Sequence, residues 1–429
     1  MKKLLASLAL AFAGVAAFAA PLKFTVVNDH TNLLYRVGEE AAFTVAAVGT
    51  NGAPVAAGMV NVTLDNFGPK VQLRRTVDLA RENPFTVRGR LDEPGFLRLT
   101  AIAKGEKPFV WGVGYDPQRI EKGSPSPEDF DSFWAAARAK LAREVPLDAK
   151  VERVAERSTA EFDYYRVSFA TFGRRVHGYM SVPTDKSLAP FPVEFQVAAA
   201  GLGGWSNNMS GARDCIRVFF SVYPFAPHWQ WERNGLQAKY DAMNAECLRK
   251  YGTGYASAGI SASREEYFFY PVLLGIDRAV DWLAARPDVD PKRFWYQGTS
   301  QGGGFGFYLT GLNHRFTKAA FFVPAITDTM GFQKGRQSGW PQIVEHQPAA
   351  GKAAAVRNAP YFDGANFASR IRCPVRVAVG FADVTCAPCA VYAAYNEIKV
   401  KDKGIAHGFG MSHSCFPQFY EEFGKWLRK

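Results

Sequence analysis

Ser300 stands in the run Gly298-Thr299-Ser300-Gln301-Gly302-Gly303, a G-x-S-x-G frame. The aromatic stretch Arg293-Phe294-Trp295-Tyr296-Gln297 precedes it, and an apolar stretch from Phe305 to Leu312 follows. A short strand, a tight turn and a buried helix in that order make a nucleophile elbow, where glycines at 298 and 302 let the serine hydroxyl project from the tip of a sheet. The same residues also fit a glycine-rich loop whose serine caps the next helix. A serine hydroxyl is a poor nucleophile at neutral pH. It needs an imidazole to accept its proton and a carboxylate to orient that imidazole.

Candidates for both roles lie downstream. In a sheet that carries such an elbow the chain order is serine, then acid, then histidine, on loops after later strands. Asp383 follows the strand-like run Arg376-Val377-Ala378-Val379-Gly380, and two of the seven histidines, His407 and His413, come after it. Asp383 also suits the start of the helix a few residues on. His407 lies inside the apolar run Gly404 to Phe409, where a strand histidine is more often structural. His413 sits beyond that run, in Gly410-Met411-Ser412-His413-Ser414, on a loop able to aim its ring at Ser300, and is favoured as the base. The tetrahedral intermediate of acyl transfer needs backbone N–H donors. Gln301, next after the serine, offers one. The second is expected at Leu202 in the loop Gly201-Leu202-Gly203-Gly204, which also reads as an ordinary tight turn.

The elements that must hold these residues fall into two sets. From Lys23 to about Tyr115 apolar and polar residues alternate, as in Val60-Asn61-Val62-Thr63-Leu64 and Leu97-Arg98-Leu99-Thr100-Ala101. With turn signals such as Asp92-Glu93-Pro94-Gly95 between the runs, residues 20–116 read as an immunoglobulin-like β-sandwich of roughly seven strands. A linker spans 117–127. Ser126-Pro127-Glu128-Asp129 reads as a helix start, and Phe130, Trp134, Ala137 and Leu141 recur at helical spacing behind it. From Val151 strands and helices alternate, which predicts an α/β domain over 128–429 with a mainly parallel sheet. Expected elements include strands over Phe191–Ala200, Arg372–Gly380 and Gly404–Phe409, and helices over Pro271–Arg286, Ala390–Ile398 and Phe416–Leu427.

At 429 residues the chain is long for one domain, and 48% hydrophobic content with 14% aromatic residues implies a large core. Residues 1–19 have the form of a secretory signal peptide: Lys2 and Lys3, an apolar run from Leu4 to Phe18, and small residues around Ala17-Phe18-Ala19. The apolar run is shorter than the ~20 residues a bilayer span needs, and no cysteine precedes Cys215 to take a lipid. A secreted or periplasmic protein without a membrane anchor is expected. The net charge of +11 is spread among acidic residues, with no basic block interleaved with aromatics, so a nucleic-acid partner is not expected. Six cysteines, at 215, 247, 373, 386, 389 and 415, would be exported to a compartment that permits disulfides. Cys386-Ala387-Pro388-Cys389 has no second C-x-x-C and no histidine pair to complete a zinc site, so a bridged or buried structural role is expected, with no metal and no cofactor.

Several of these motifs together resemble the acetyl xylan esterase and cephalosporin C deacetylase family, carbohydrate esterase family 7. The resemblance runs from Ser126 to Lys429. It lies in Ser126-Pro-Glu-Asp-Phe-Asp-Ser-Phe-Trp134, in Arg278-Ala-Val-Asp-Trp-Leu-Ala-Ala-Arg-Pro287, in the elbow, and in Asp383 followed by Cys386 and Val391-Tyr-Ala-Ala-Tyr-Asn396. It implies an α/β-hydrolase fold, a triad of Ser300, Asp383 and His413, and an oxyanion hole at Leu202 and Gln301. It also implies removal of acetyl groups from short xylo-oligosaccharides or other small acetyl esters. Trp205, Trp229 and Trp231 are candidates for an apolar platform under a sugar face, or for packing of their own loops. The chain departs from the family where Arg-Gly-Gln is usual, reading Gly259-Ile260-Ser261, and where His-Gly-Tyr is frequent, reading Ala200-Gly201-Leu202. Ser414 follows the histidine where a glutamate is common. The β-sandwich is an addition, expected either to position the enzyme or to shape a homo-oligomer interface. Two rival readings share parts of this pattern. A propeller-bearing serine peptidase would need several four-stranded blades, more than roughly ninety residues supply. A carbohydrate-binding or adhesion protein without activity is the alternative of a different class.

Overall fold

The computed structural model describes residues 22–202, 210–226 and 235–429. Eight strands come first: β1 (Lys23–Asn28), β2 (Leu34–Tyr35), β3 (Ala41–Val48), β4 (Met59–Asp65), β5 (Val71–Asp78), β6 (Phe85–Gly89), β7 (Gly95–Ala103) and β8 (Phe109–Tyr115). They form a three-stranded sheet in the order β1-β3-β6 and a five-stranded sheet in the order β2-β8-β7-β4-β5. All pairs are antiparallel except β2 with β8. The period of two puts Ala41, Phe43, Val45 and Ala47 of β3 on one buried face, and Val60, Val62 and Leu64 of β4 likewise. The strand beyond the seven expected includes β2, whose two residues are too few to show alternation.

Helix α1 (Phe130–Glu144) buries Phe130, Trp134, Ala137 and Leu141, the stripe its spacing predicts. It starts later than Ser126-Pro127 suggests. Asp129 holds the cap position without a side-chain cap bond, and Ser126 is drawn elsewhere, its Oγ donating to Asn366 Oδ1 at 2.9 Å.

The remaining strands make one nine-stranded sheet: β9 (Lys150–Arg153), β10 (Phe162–Thr171), β11 (Arg174–Pro183), β12 (Phe191–Val197), β13 (Ile216–Phe220), β14 (Val289–Thr299), β15 (Lys318–Phe322), β16 (Val375–Gly380) and β17 (Lys403–Gly408). Their order is β17-β16-β15-β14-β12-β13-β11-β10-β9, with β13 to β17 and β12 all parallel and β9 to β11 antiparallel. Helices α2 (Leu236–Tyr251), α3 (Phe269–Ala284), α4 (Gln301–Leu312), α5 (Lys352–Asn358), α6 (Gly364–Ala368), α7 (Pro388–Glu397) and α8 (Pro417–Arg428) accompany it. Parallel strands covered on both faces read as apolar runs, as in β15, where four of five residues are buried. The chain leaves β12 for β13 on one side and returns at β14 on the other. Strand order therefore reverses between β12 and β14, the point at whose carboxyl ends open α/β sheets place their ligand sites. Among the described residues no helix is long and apolar enough to cross a membrane.

None of the six cysteines is bridged; five are buried and Cys415 is partly so. Burial pushes the Cys373 thiol up to about 12 and the Cys389 thiol to about 11, so both stay protonated at neutral pH. Thiol titration of the unreduced protein in denaturant should therefore count six free thiols per chain, and reductant should leave the thermal midpoint unchanged. A count of four or fewer would reveal a bridge.

Candidate active site

Ser300 directly follows β14 and sits at the cap position of α4, with φ +56° and ψ −121°. A positive φ is strained for a residue with a Cβ, and here the surroundings enforce it. Ser300 N donates to Phe322 O at 2.9 Å, and Ser300 O accepts from Gly304 N at 3.0 Å and Ala325 N at 2.9 Å. Close packing explains the flanking glycines. A Cβ on Gly298 would lie 2.5 Å from Gly302 O, and one on Gly302 would collide with Val197 O of β12. The serine side chain makes no cap bond to the helix. Its Oγ instead lies 2.9 Å from His413 Nε2.

Asp383, three residues past β16, is fully buried, and its Oδ2 lies 2.9 Å from His413 Nδ1. Its Oδ1 accepts from Thr385 N at 2.8 Å and Cys386 N at 2.9 Å, so the carboxylate also organises the turn that leads into α7. With Nδ1–H donated to Asp383, Nε2 carries the lone pair that faces the serine proton. His413 is 33% exposed and Ser300 7%, so the ring borders solvent while the hydroxyl lies just beneath. Two backbone bonds, Phe381 N to Gly408 O and Ala382 N to Met411 O, each 3.0 Å, tie the aspartate loop to the histidine loop. His407 lies in β17 with Nε2 2.6 Å from Tyr392 OH, and burial lowers its pKa. Its ring packs against Phe381 and Tyr392, and the bond to Ser300 Oγ comes from His413 instead. Asp383, Cys386 and His413 form the one group among the described residues that brings three potential metal-ligand atoms within 4.8 Å. Asp383 and His413 are already bonded to each other, and burial pushes the Cys386 thiol well above its ordinary range, which opposes metal ligation.

The expected oxyanion donors are Leu202, five residues past β12, and Gln301, the first residue of α4; both are buried. Gln301 is more than a backbone donor. Its Nε2 donates to Ala198 O at 3.1 Å, and its Oε1 accepts from Tyr255 OH at 2.8 Å. Tyr255 OH in turn accepts from Tyr223 OH at 3.2 Å, and Tyr223 OH accepts from Gly201 N at 2.8 Å. This buried relay joins the Gly201–Leu202 loop to the start of α4, so the two N–H donors expected for an oxyanion hole share one polar frame. Neither tyrosine stands out in the sequence. Tyr255 lies just before the departing Gly259-Ile260-Ser261, where Ile260 is buried and its carbonyl accepts from Asn358 Nδ2 at 2.8 Å. Trp205, Trp229 and Trp231 lie outside the described residues.

This arrangement suits acyl transfer: a hydroxyl on a strained elbow, an imidazole in contact with it, and a buried carboxylate behind the imidazole. Comparison with known proteins points the same way. The sequence model of the acetyl xylan esterase (AXE1) family matches residues 118–429. An acetyl esterase, Axe7A, of Xylanibacter ruminicola is 28% identical over 421 residues, covering 94% of this chain and 92% of that protein. Two solved structures share the fold. The acetyl xylan esterase from Paenibacillus sp. R4 has a TM-score of 0.61 and 24% identity over 73% of this chain and 98% of its own. Acetyl xylan esterase 1 from Thermoanaerobacterium sp. JW/SL YS485 has a TM-score of 0.59 and 20% identity over 72% and 96%.

Tyr255→Phe breaks the relay in the middle, leaving Gln301 Oε1 without its donor. The expected cost is about 1–3 kcal/mol in urea unfolding, for an unpaired buried polar group. Hydrolysis of a small acetate ester should show kcat lower by about tenfold with KM within twofold, because the defect lies at the donors to the developing charge. Unchanged kcat in a destabilised variant would confine the relay to packing.

Proposed function

Because the chain belongs to the acetyl xylan esterase family through residues 118–429, we propose that it is an exported serine carbohydrate esterase that removes acetyl groups from short xylo-oligosaccharides and similar small acetylated sugars. The observation that carries this reading is the line from Ser300 Oγ through His413 to Asp383, two contacts of 2.9 Å each. Ser300 Oγ attacks the acetyl carbonyl carbon while His413 Nε2 takes the hydroxyl proton. The carbonyl oxygen, now negative, is held by the backbone N–H groups of Gln301 and Leu202. His413 returns the proton to the sugar oxygen as the C–O bond breaks, leaving acetyl-Ser300. Water then repeats the sequence and releases acetate. Asp383 holds the imidazole in the tautomer that can accept at Nε2.

Residues 1–19 serve as a signal peptide in this reading, 20–116 as a separate β domain and 128–429 as the catalytic domain. The two charged residues and apolar run at the N-terminus support export, and the family match starting at residue 118 supports the division. Neither metal nor cofactor takes part. Trp205, Trp229 and Trp231 remain candidates for the sugar side of the site.

Ser300→Ala should lower acetate release from acetylated xylo-oligosaccharides by about 10⁴-fold or more while circular dichroism and the unfolding midpoint hold. His413→Ala should do the same, His407→Ala should leave most activity, and a chelator should leave the rate unchanged. Glycan binding without turnover in the unaltered protein would replace this reading with the inactive carbohydrate-binding one.

A further inference from the structure

The N-terminal β region touches the hydrolase sheet at the two loops that carry Asp383 and His413. In the middle of β8, Gly112 lies so close to the Phe381 carbonyl that a Cβ there would collide with its oxygen. The Phe96 ring of β7 meets the Phe381 ring edge-on at 5.0 Å and Tyr392 at 5.6 Å. Trp111, fixed by Nε1 donating to Asn28 Oδ1 at 2.9 Å, covers Gly410, where a Cβ would lie 2.5 Å from Trp111 Cζ3. Gln337 spans the seam, its N donating to Phe67 O and its Nε2 to Val384 O, each at 2.8 Å.

Phe381 and Val384 are two residues and one residue from Asp383, and Gly410 is three from His413. Phe67, Phe96, Phe381 and Tyr392 are all buried and belong to one continuous core that spans both parts of the chain. Domains that move relative to each other meet instead through smaller, more polar interfaces. The bonds from Phe381 to Gly408 and from Ala382 to Met411 couple the two loops, so a displacement of one is passed to the other.

We propose that the β region is a positioning element for catalysis: through Phe96, Trp111 and Gly112 it holds the Asp383 and His413 loops in register with Ser300. The proposal rests on the reading of Ser300, His413 and Asp383 as the triad. Misplacement of a reacting group by about 1 Å costs on the order of 10²-fold in rate, so a brace of this kind acts on kcat.

The test uses the full-length protein with Gly112→Ala, which forces the Phe381 loop away, Trp111→Ala, which uncovers Gly410, Trp111→Phe, which refills that space, and Ser300→Ala. Gly112→Ala is expected to lower kcat for a small acetate ester by about 10- to 100-fold with KM within twofold. Trp111→Ala is expected to lower kcat by about fivefold, with Trp111→Phe restoring most of it, while the unfolding midpoint separates these effects from loss of fold. Should Gly112→Ala fail to fold, the Trp111 pair decides. Folded variants with unchanged kcat, or with raised KM and unchanged kcat, overturn the proposal while an inactive Ser300→Ala leaves the triad standing. An active Ser300→Ala overturns both.

Discussion

His413 Nε2 and Nδ1 stand 2.9 Å from Ser300 Oγ and from Asp383 Oδ2, and these two contacts join strand ends 113 and 30 residues apart in the chain. Hydrogen bonds of this kind keep their strength only within a narrow range of distance and angle. Their starting frame is the set of parallel strands β12, β14, β15, β16 and β17, which brings every loop in question to the same edge of the sheet. The strand order also reverses between β12 and β14, the usual place for a ligand site in an open α/β sheet. Leu202 follows β12 by five residues and Ser300 directly follows β14, so the proposed nucleophile and the proposed oxyanion donors leave neighbouring strands without any long loop.

The cost of this arrangement is concentrated in a few places. Ser300 holds a backbone conformation worth of order 1–3 kcal/mol of strain, sustained by bonds from Phe322, Gly304 and Ala325. Asp383 and Gln301 are polar and wholly buried. Each is acceptable because its side-chain oxygens are occupied: Asp383 by two backbone N–H groups and an imidazole, Gln301 by Tyr255 and, through its amide, Ala198. The site is therefore set in the ground state, which is where electrostatic preorganisation has to be built.

How much of this could be read from the residues depended on the range of the interaction. The strand-turn-helix of the elbow and the buried stripe of α1 are local patterns, and each is found where the pattern puts it. Preference for His413 over His407 came from loop against strand, and His407 does lie in β17 with its ring on Tyr392. Ser126 misled because a cap signal is only a competition among partners, and Asn366, 240 residues away, offers a better one. Strand starts slipped where proline intervenes: β16 begins after Pro374, which has no N–H to give the ladder. Tyr223, Tyr255 and Trp111 could not be singled out, since nothing in a tyrosine's or tryptophan's neighbours in sequence says which distant loop it will meet.

Parallel strands fix where loops begin but not where their tips lie. Asp383 is three residues beyond β16 and His413 five beyond β17, far enough for each to need restraints of its own. The restraints are graded. Asp383 has its turn bonds to Thr385 and Cys386, the loop-to-loop bonds beside it, and Phe96 and Gly112 against Phe381. His413 has its bond to Asp383 and the cover of Trp111 on Gly410, and it keeps a third of its surface open. That division matches what acyl transfer asks of the two. In the proposed mechanism the carboxylate only orients the imidazole, so it gains from being immobile. The imidazole, in the same mechanism, passes one proton between the serine, a leaving alcohol and a water, so it is fixed through Nδ1 while Nε2 faces the serine.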